Sequence, residues 1–324
     1  MGRCELVVRG AVLYVLPVLL MVVPVATASP AVVPPEPEVA EDLVGPVSEV
    51  ELRETVIRGS DSDTDRSTAD RRDVLRFEEG RLVRQERYEP ADELLWISRR
   101  EYSEEGELLD WRTVGLDDEV EWRYEYVYDS RGRLVREISY GTGGELEQIL
   151  LHEYHEDELI EDVMYGPDNS IQWRRSYDYD DEENAKLWSV YHSDGTRIKQ
   201  IRERVDERGR VVEEVHRDQL GTTYERIEYT YGSFDKPIVE ESYDGQGELQ
   251  RRTERELDTR GNVIRERLML PDDDTEHIVS RDYEYDDFGN WIRKRSTTEV
   301  VESDSRRVVE EKILRRTIEY EQQT

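Results

Sequence analysis

A turn signature recurs along the chain at an interval of about 26 residues. Gly80, Gly106 and Gly132 are 26 residues apart, and a leucine follows each of them two positions later. The same signature returns at Gly209, Gly261 and Gly289, and degenerate copies fill the gaps between them. A fixed period of this length indicates a repeat architecture, with about nine units in this chain.

A second turn lies near the middle of each period, as at Gly143-Gly144 and Gly247. Each unit therefore holds two segments of about nine residues, and side-chain character alternates within them, as at Trp122, Tyr124 and Tyr126. Alternation with period two between turn residues is typical of half-buried strands, and short connections force neighbouring strands to run antiparallel. The sequence predicts an all-β fold, an antiparallel β-hairpin repeat array of about 18–20 strands forming an elongated twisted or rolled meander sheet.

The composition limits what such a sheet can bury and bind. The chain is 36% hydrophobic and 38% charged, with a net charge of −33, and it carries 19 tyrosines and 6 tryptophans. So few apolar residues cannot form a thick core, and the acidic field repels nucleic acid. The segment 251–256 is polar on both faces, so we expect Arg–Glu pairs between strands to stabilise it.

Changes in amino-acid composition along the chain predict three segments. Residues 1–28 resemble a secretory signal peptide, with about 15 apolar residues, too few for a membrane span. Residues 29–72 are predicted to be a Pro-rich and acidic flexible linker, and residues 73–320 the repeat domain. Within the linker, the side chains of 47–58 alternate weakly in polarity, so an isolated strand there is left open as an alternative. The only cysteine, Cys4, lies in the predicted signal peptide. We expect an exported bacterial protein of the periplasm or cell surface, without disulfides and without stable membrane insertion.

Two units resemble the repeat of RHS-type bacterial proteins, Y-x-Y-D-x-x-G-[RN]-L. They are Tyr126–Leu134 and Tyr283–Trp291. The resemblance implies a secreted or surface β-structure that winds strand pairs in a spiral and sometimes contacts carbohydrate or encloses cargo. This chain has a longer unit, nine units are too few for a closed shell, and we expect no toxin-delivering C-terminal domain. A MORN-like repeat is the weaker alternative.

Residues that could carry chemistry are few. His152 and His155 lie three positions apart, on opposite faces of a strand, and are interpreted as solvated surface histidines. Asp61–Asp65 resembles the start of a calcium loop, but arginines replace the required glycine and glutamate. Asp272–Asp274 is interpreted as a turn. We therefore predict no catalytic, cofactor-binding or metal-binding residue, and no enzyme.

Two functions remain open at this level. The favoured one is an exported, non-enzymatic structural or interaction module of the envelope or surface, with protein or carbohydrate partners. The alternative is a carbohydrate-binding or carbohydrate-active protein that uses a face rich in Tyr and Trp. Tyrosine on half-buried strands serves mainly for packing, however.

The turn at Gly132 provides a first prediction. A tight hairpin requires φ > 0 there, so Gly132→Val should strain the backbone and lower the free energy of unfolding by about 1–3 kcal/mol. Denaturant unfolding measures the change. In an open array we expect only the adjacent two or three hairpins to loosen, as read by hydrogen exchange, and an unchanged midpoint would contradict the assigned turn.

Overall fold

Twenty β-strands and no helix make up the described part of the chain. The computed structural model describes residues 43–58, 67–89, 92–117, 119–180, 182–271, 275–302 and 305–321. The strands are β1 Val47–Arg58, β2 Ser67–Glu78, β3 Arg81–Glu89, β4 Glu93–Tyr102, β5 Leu108–Val114, β6 Val120–Tyr128, β7 Leu134–Tyr140, β8 Leu146–His155, β9 Glu158–Tyr165, β10 Ile171–Asp180, β11 Ala185–His192, β12 Arg197–Val205, β13 Val211–Arg217, β14 Thr223–Tyr231, β15 Pro237–Asp244, β16 Leu249–Leu257, β17 Val263–Met269, β18 Glu276–Tyr285, β19 Trp291–Glu302 and β20 Ser305–Tyr320. The predicted signal peptide, Asp61–Asp65 and Asp272–Asp274 lie outside the described residues.

The sheet closes on itself. Each strand pairs antiparallel with its neighbours along the chain, and β1 also pairs with β20, from Val50 opposite Ile318 to Ile57 opposite Glu311. The all-β antiparallel prediction is confirmed, but the elongated, open or rolled meander is wrong, because the fold is a closed 20-stranded β-barrel. The expectation that the units are too few to close is also wrong, since β1 and β2 supply a tenth hairpin.

The barrel begins inside the segment that the sequence assigns to a linker. β1 spans Val47–Arg58, and Val50 and Leu52 are buried. β2 begins at Ser67 and not near residue 73. The sequence shows only a weak alternation there, because the partner that makes β1 an interior strand of the sheet is β20, at the other end of the chain.

The strands are staggered around the ring. Trp111 lies opposite Tyr124, and Tyr124 lies opposite Ser139. The residue that lies level with Trp111 two strands further on is therefore 28 positions later in the sequence, whereas the sequence repeat is 26 residues. The difference is a stagger of about one residue per strand, which corresponds to a strand tilt of roughly 35–45°. Barrels of 16–18 strands already leave an aqueous channel, so this ring encloses a lumen.

Strand register divides the side chains into two faces. All six tryptophans share one face, the aromatic face: Trp96, Trp111, Trp122, Trp173, Trp188 and Trp291. The opposite, charged face includes Arg76, Arg112, Glu125, Arg252 and Arg267.

Burial assigns the aromatic face to the lumen. The most completely buried strand residues all lie on it: Val50, Asp73, Leu75, Gln85, Ser98 and Thr113. Side chains converge and shield one another on the concave side of a closed sheet, whereas they splay apart on the convex side. The charged face is therefore the outer surface.

A repeated side-chain contact joins each hairpin to the next. Asp129 accepts the backbone N–H groups of Arg131 and Arg133 at 2.8 and 3.1 Å, and its other oxygen accepts the Arg133 guanidinium at 2.6 Å. That guanidinium lies 4.6 Å over the ring of Tyr154, whose hydroxyl donates to the carbonyl of Leu134 at 2.9 Å. We call this Asp–Arg–Tyr contact the turn latch.

The turn latch recurs in other units, with Asn replacing Arg in two of them. Its other copies are Asp206–Arg210–Tyr231, Asp258–Asn262–Tyr285 and Asp286–Asn290–Tyr320. The Tyr-Asp pattern of the sequence therefore has a physical reason, because the tyrosine of one hairpin and the aspartate of the preceding hairpin hold a single side chain between them.

The last latch spans the seam between β20 and β1. Asn290 donates to the Tyr320 hydroxyl at 2.9 Å and to the Val44 carbonyl at 2.8 Å, and it accepts the Val44 N–H at 2.6 Å. An apolar cluster packs beside it: Val47, Val50, Leu52, Leu75, Phe77, Leu82, Trp291 and Leu314. The seam, which has no hairpin turn, is thus held by hydrogen bonds and by burial.

The turn glycines have the conformation expected of them. Gly132 has φ 76° and Gly143 has φ 88°. A valine at Gly132 would occupy a region that L residues rarely adopt, which agrees with the strain predicted from the sequence.

The seam latch allows a matched mutational test. Asn290→Ala removes three hydrogen bonds of a buried side chain and leaves Val44 unpaired, so it should lower the free energy of unfolding by about 1–3 kcal/mol. Hydrogen exchange should show the lost protection first in β1 and β20.

Asn262→Ala is the control, because Asn262 occupies the same latch position away from the seam. It should loosen β16 to β18 and leave β1 and β20 protected. Equal loss of protection around the whole ring in both variants would contradict a distinct role for the seam.

Candidate functional site

Five carboxylates line the lumen at equivalent positions of the repeat. They are Glu137, Asp162, Glu214, Glu240 and Glu266, on β7, β9, β13, β15 and β17. Strand register places all five on the aromatic face. We call them the carboxylate belt. Because shielded carboxylates are costly without partners, their contacts decide what the belt can do.

His152 bridges two carboxylates of the belt. One ring nitrogen lies 2.7 Å from Asp162 and the other 3.0 Å from Glu137, while the Tyr177 hydroxyl donates to Asp162 at 2.6 Å. Burial by itself lowers the pKa of His152, but the hydrogen bonds to Asp162 and Glu137 outweigh it and raise the pKa to about 9. At neutral pH the bridge is therefore a charged His⁺ between two carboxylates.

The other belt carboxylates are also paired. Glu214 accepts from the Tyr229 hydroxyl at 2.9 Å and contacts His216 at 2.9 Å. Glu240 and Glu266 both contact Arg255, at 3.2 and 2.9 Å. These Arg–Glu pairs confirm the contacts expected for the polar strand 251–256.

The pairing lowers the pKa of two belt carboxylates. Burial by itself raises the pKa of Asp162 and of Glu214, but hydrogen bonds outweigh it and lower the pKa overall. The strongest of these hydrogen bonds joins Asp162 to His152 and Glu214 to His216. A carboxyl that acts as a general acid near neutral pH needs a raised pKa. Neither carboxylate is suited to that role.

The structure separates the two histidines that the sequence considers together. They lie on opposite faces of β8 as predicted, and His155 is exposed. His152 is not a solvated surface residue, and that interpretation is wrong. Its partners come from adjacent strands, which no local pattern reveals. Within the described ranges no group of His, Cys, Asp and Glu is arranged to hold a metal ion.

A cationic and aromatic patch lies on the lumen wall at β10 to β12. The Lys199 ammonium lies 5.2 Å from the ring centroid of Trp188. The Arg175 guanidinium lies 5.2 Å from the same ring and 5.4 Å from that of Trp173. We call these four residues the cationic patch.

Two further side-chain contacts adjoin the cationic patch. Lys186 lies 4.5 Å over the Tyr177 ring, and Trp188 donates its indole N–H to Glu203 at 2.7 Å. Burial, with a smaller contribution from the charge of Arg175, lowers the pKa of Lys199. The sequence offers no sign of the patch, because its members are spread over three strands.

The tryptophans differ in accessibility. Trp111 and Trp122 are buried and meet edge to face with centroids 5.0 Å apart. Trp173 and Trp188 are only half-buried. Packing accounts for the first pair, whereas the second pair can contact a ligand.

Comparisons with known proteins find remote likeness in structure. No family model and no curated protein matches the chain. A porin-like protein from Bacteroides uniformis is 12% identical and has a TM-score of 0.35, over 86% of this chain and 98% of that one. A Photorhabdus luminescens Tc holotoxin pore is 13% identical with a TM-score of 0.21, over 69% and 15% of the two chains. Scores this low carry no function across.

A membrane-spanning helix is not found in the described part of the chain, since none of its elements is a helix long and apolar enough.

The His152 bridge predicts a pH dependence. Because the folded-state pKa is raised to about 9, the stabilisation is complete below about pH 6.5, the ordinary histidine value, and is lost as the pH rises through about 9. The melting temperature of the protein should fall over that window more steeply than that of His152→Gln.

His192→Gln is the control for this measurement, since His192 is exposed. Its melting temperature should follow the unmodified protein at every pH. Parallel curves for the unmodified protein and His152→Gln would show that the bridge does not form.

Proposed function

We propose that this protein is an exported, non-enzymatic binding module whose binding surface is the lumen of the barrel. The observation that carries the proposal is that all six tryptophans, although spread over six strands, face inward. The signal-like segment 1–28 and the resemblance of two units to the RHS-type repeat agree with a role in the envelope or at the surface. The partner is a carbohydrate or a protein segment that enters the ring.

The outer surface supports a barrel that stands in water. Cross-strand ion pairs cover it, as between Arg76 and Glu49 at 2.9 Å and between Arg267 and Glu276 at 3.0 Å. A lipid-facing barrel needs an apolar band about 25 Å tall, and each arginine at its midplane costs about 2–4 kcal/mol. We therefore propose that the ligand meets the inner wall and that lipid does not meet the outer wall.

Carbohydrate is the favoured class of ligand. Half-buried tryptophans such as Trp173 and Trp188 offer apolar ring faces beside polar groups, which suits molecules with both apolar and hydroxylated surfaces. The belt carboxylates lie on the same face and can accept hydrogen bonds from hydroxyl groups. A protein segment would use the same faces through its own aromatic or apolar side chains.

Thiol blocking tests the location of the binding surface. Cys4→Ser removes the single cysteine of the chain, so that each test variant carries only the one cysteine that is introduced. Ser139→Cys places it on the lumen face and Ser176→Cys on the outer face, both at half-buried positions. Each variant is coupled to a bulky maleimide and applied to an array of glycans and peptides.

We expect coupling at residue 139 to abolish binding of every ligand that the uncoupled protein retains, whereas coupling at residue 176 leaves binding unchanged. Circular dichroism verifies that both coupled forms keep their strand content. Loss of binding through the outer position alone, or no ligand of either class, would refute the lumen as the functional surface.

A further inference from the structure

We infer that the cationic patch, Arg175, Lys199, Trp173 and Trp188, is a binding site for a carboxylated sugar. The inference rests on the proposed function and narrows it to one ligand class and one part of the lumen wall. It comes from the arrangement of charges on the aromatic face of β10 to β12.

Lysines are rare in this chain and are concentrated on the lumen wall. Most cations are arginines in ion pairs with carboxylates, such as Arg252 with Glu241 and Arg255 with Glu266. Lys199 instead faces the ring of Trp188 at 5.2 Å and has Val190 as its register partner. Arg175 lies 3.8 Å from Asp162 and shares that carboxylate with His152, which also contacts Glu137. Among the described residues no carboxylate forms an ion pair with Lys199, so the Lys199 ammonium is the charge of the patch that is left for an anion.

Two like charges in this setting favour an anion between them. Register places Arg175 opposite Val190, and Val190 opposite Lys199, so that the two cations flank one apolar residue in a single row. The pKa of Lys199 is lowered, by burial first and by the charge of Arg175 second. A bound carboxylate would offset both effects, and an arginine can hold it with two parallel hydrogen bonds.

The neighbouring rings favour a sugar as the carrier of that carboxylate. Trp173 and Trp188 lie on either side of the Arg175 guanidinium, with centroids at 5.4 and 5.2 Å. A pyranose presents C–H faces that pack on indole, and its hydroxyls can bond to polar groups of the wall. The net charge of −33 does not exclude a short acidic oligosaccharide, because charges beyond about 8 Å are screened at physiological ionic strength.

Titration of the full chain with defined probes tests the inference. The probes are a trimer of galacturonic acid, the matching neutral trimer of galactose, and acetate, each followed by calorimetry and by tryptophan fluorescence. We expect the acidic trimer to bind at least tenfold more tightly than either of the others, and its affinity to fall with added salt.

Lys199→Gln is the decisive variant, because Lys199 contacts an aromatic ring and has no carboxylate to leave unpaired. It should weaken binding of the acidic trimer about tenfold and leave the neutral trimer unaffected. Lys236→Gln, in the turn between β14 and β15, is the control and should change neither. Circular dichroism and melting temperature verify folding of each variant.

Equal affinity for the two trimers, or no effect of Lys199→Gln, would overturn the inference. Failure of the proposed function looks different, since thiol coupling at residue 139 would then leave ligand binding intact. A neutral glycan that binds, and that is displaced by coupling at residue 139, would keep the lumen as the binding surface and remove the acidic site.

Discussion

Backbone pairing between β1 and β20 is the interaction on which the barrel depends. An open sheet leaves a row of unpaired N–H and C=O groups at each edge, and a chain with 36% hydrophobic residues has little apolar surface to cover them. Closure satisfies both rows at once. The strands next to the seam are the longest in the ring, with 12 residues in β1, 12 in β2, 12 in β19 and 16 in β20. The apolar cluster packs beside the same strands. The longest strands and this cluster therefore stabilise the barrel at the seam, where no turn links β20 to β1.

Elsewhere the barrel is held by short-range contacts that repeat. In each turn latch an aspartate caps its own turn and orients an arginine or asparagine toward the tyrosine of the next hairpin, as Asp129 orients Arg133 toward Tyr154. At the seam, Asn290 and Tyr320 use the same geometry. A single device therefore couples adjacent hairpins whether or not the chain connects them, which lets a sequence repeat close into a ring.

Charge is distributed differently on the outer and the inner wall of the barrel. The outer wall carries cross-strand Arg–Glu pairs that remain partly hydrated, whereas the inner wall holds carboxylates that are paired with His152, His216 and Arg255. These pairs hold the pKa of Asp162 and of Glu214 below the usual value, so the inner wall is better suited to binding a ligand than to transferring protons. Lys199, held against Trp188, departs from this pattern.

The sequence by itself determined the strands, the turns and the alternation of faces. These features follow from local chemistry: glycine at φ > 0, as at Gly132, and period two, as at Trp122 and Tyr124. Only the tertiary structure decided that Val47–Arg58 completes a ring and that His152 is an ion-pair bridge. The ring depends on pairing between strands at opposite ends of the chain, as with Val50 and Ile318. The His152 bridge depends on the register that sets Glu137 and Asp162 of the two neighbouring strands beside the imidazole. The alternation of side chains within one strand specifies neither of these pairings.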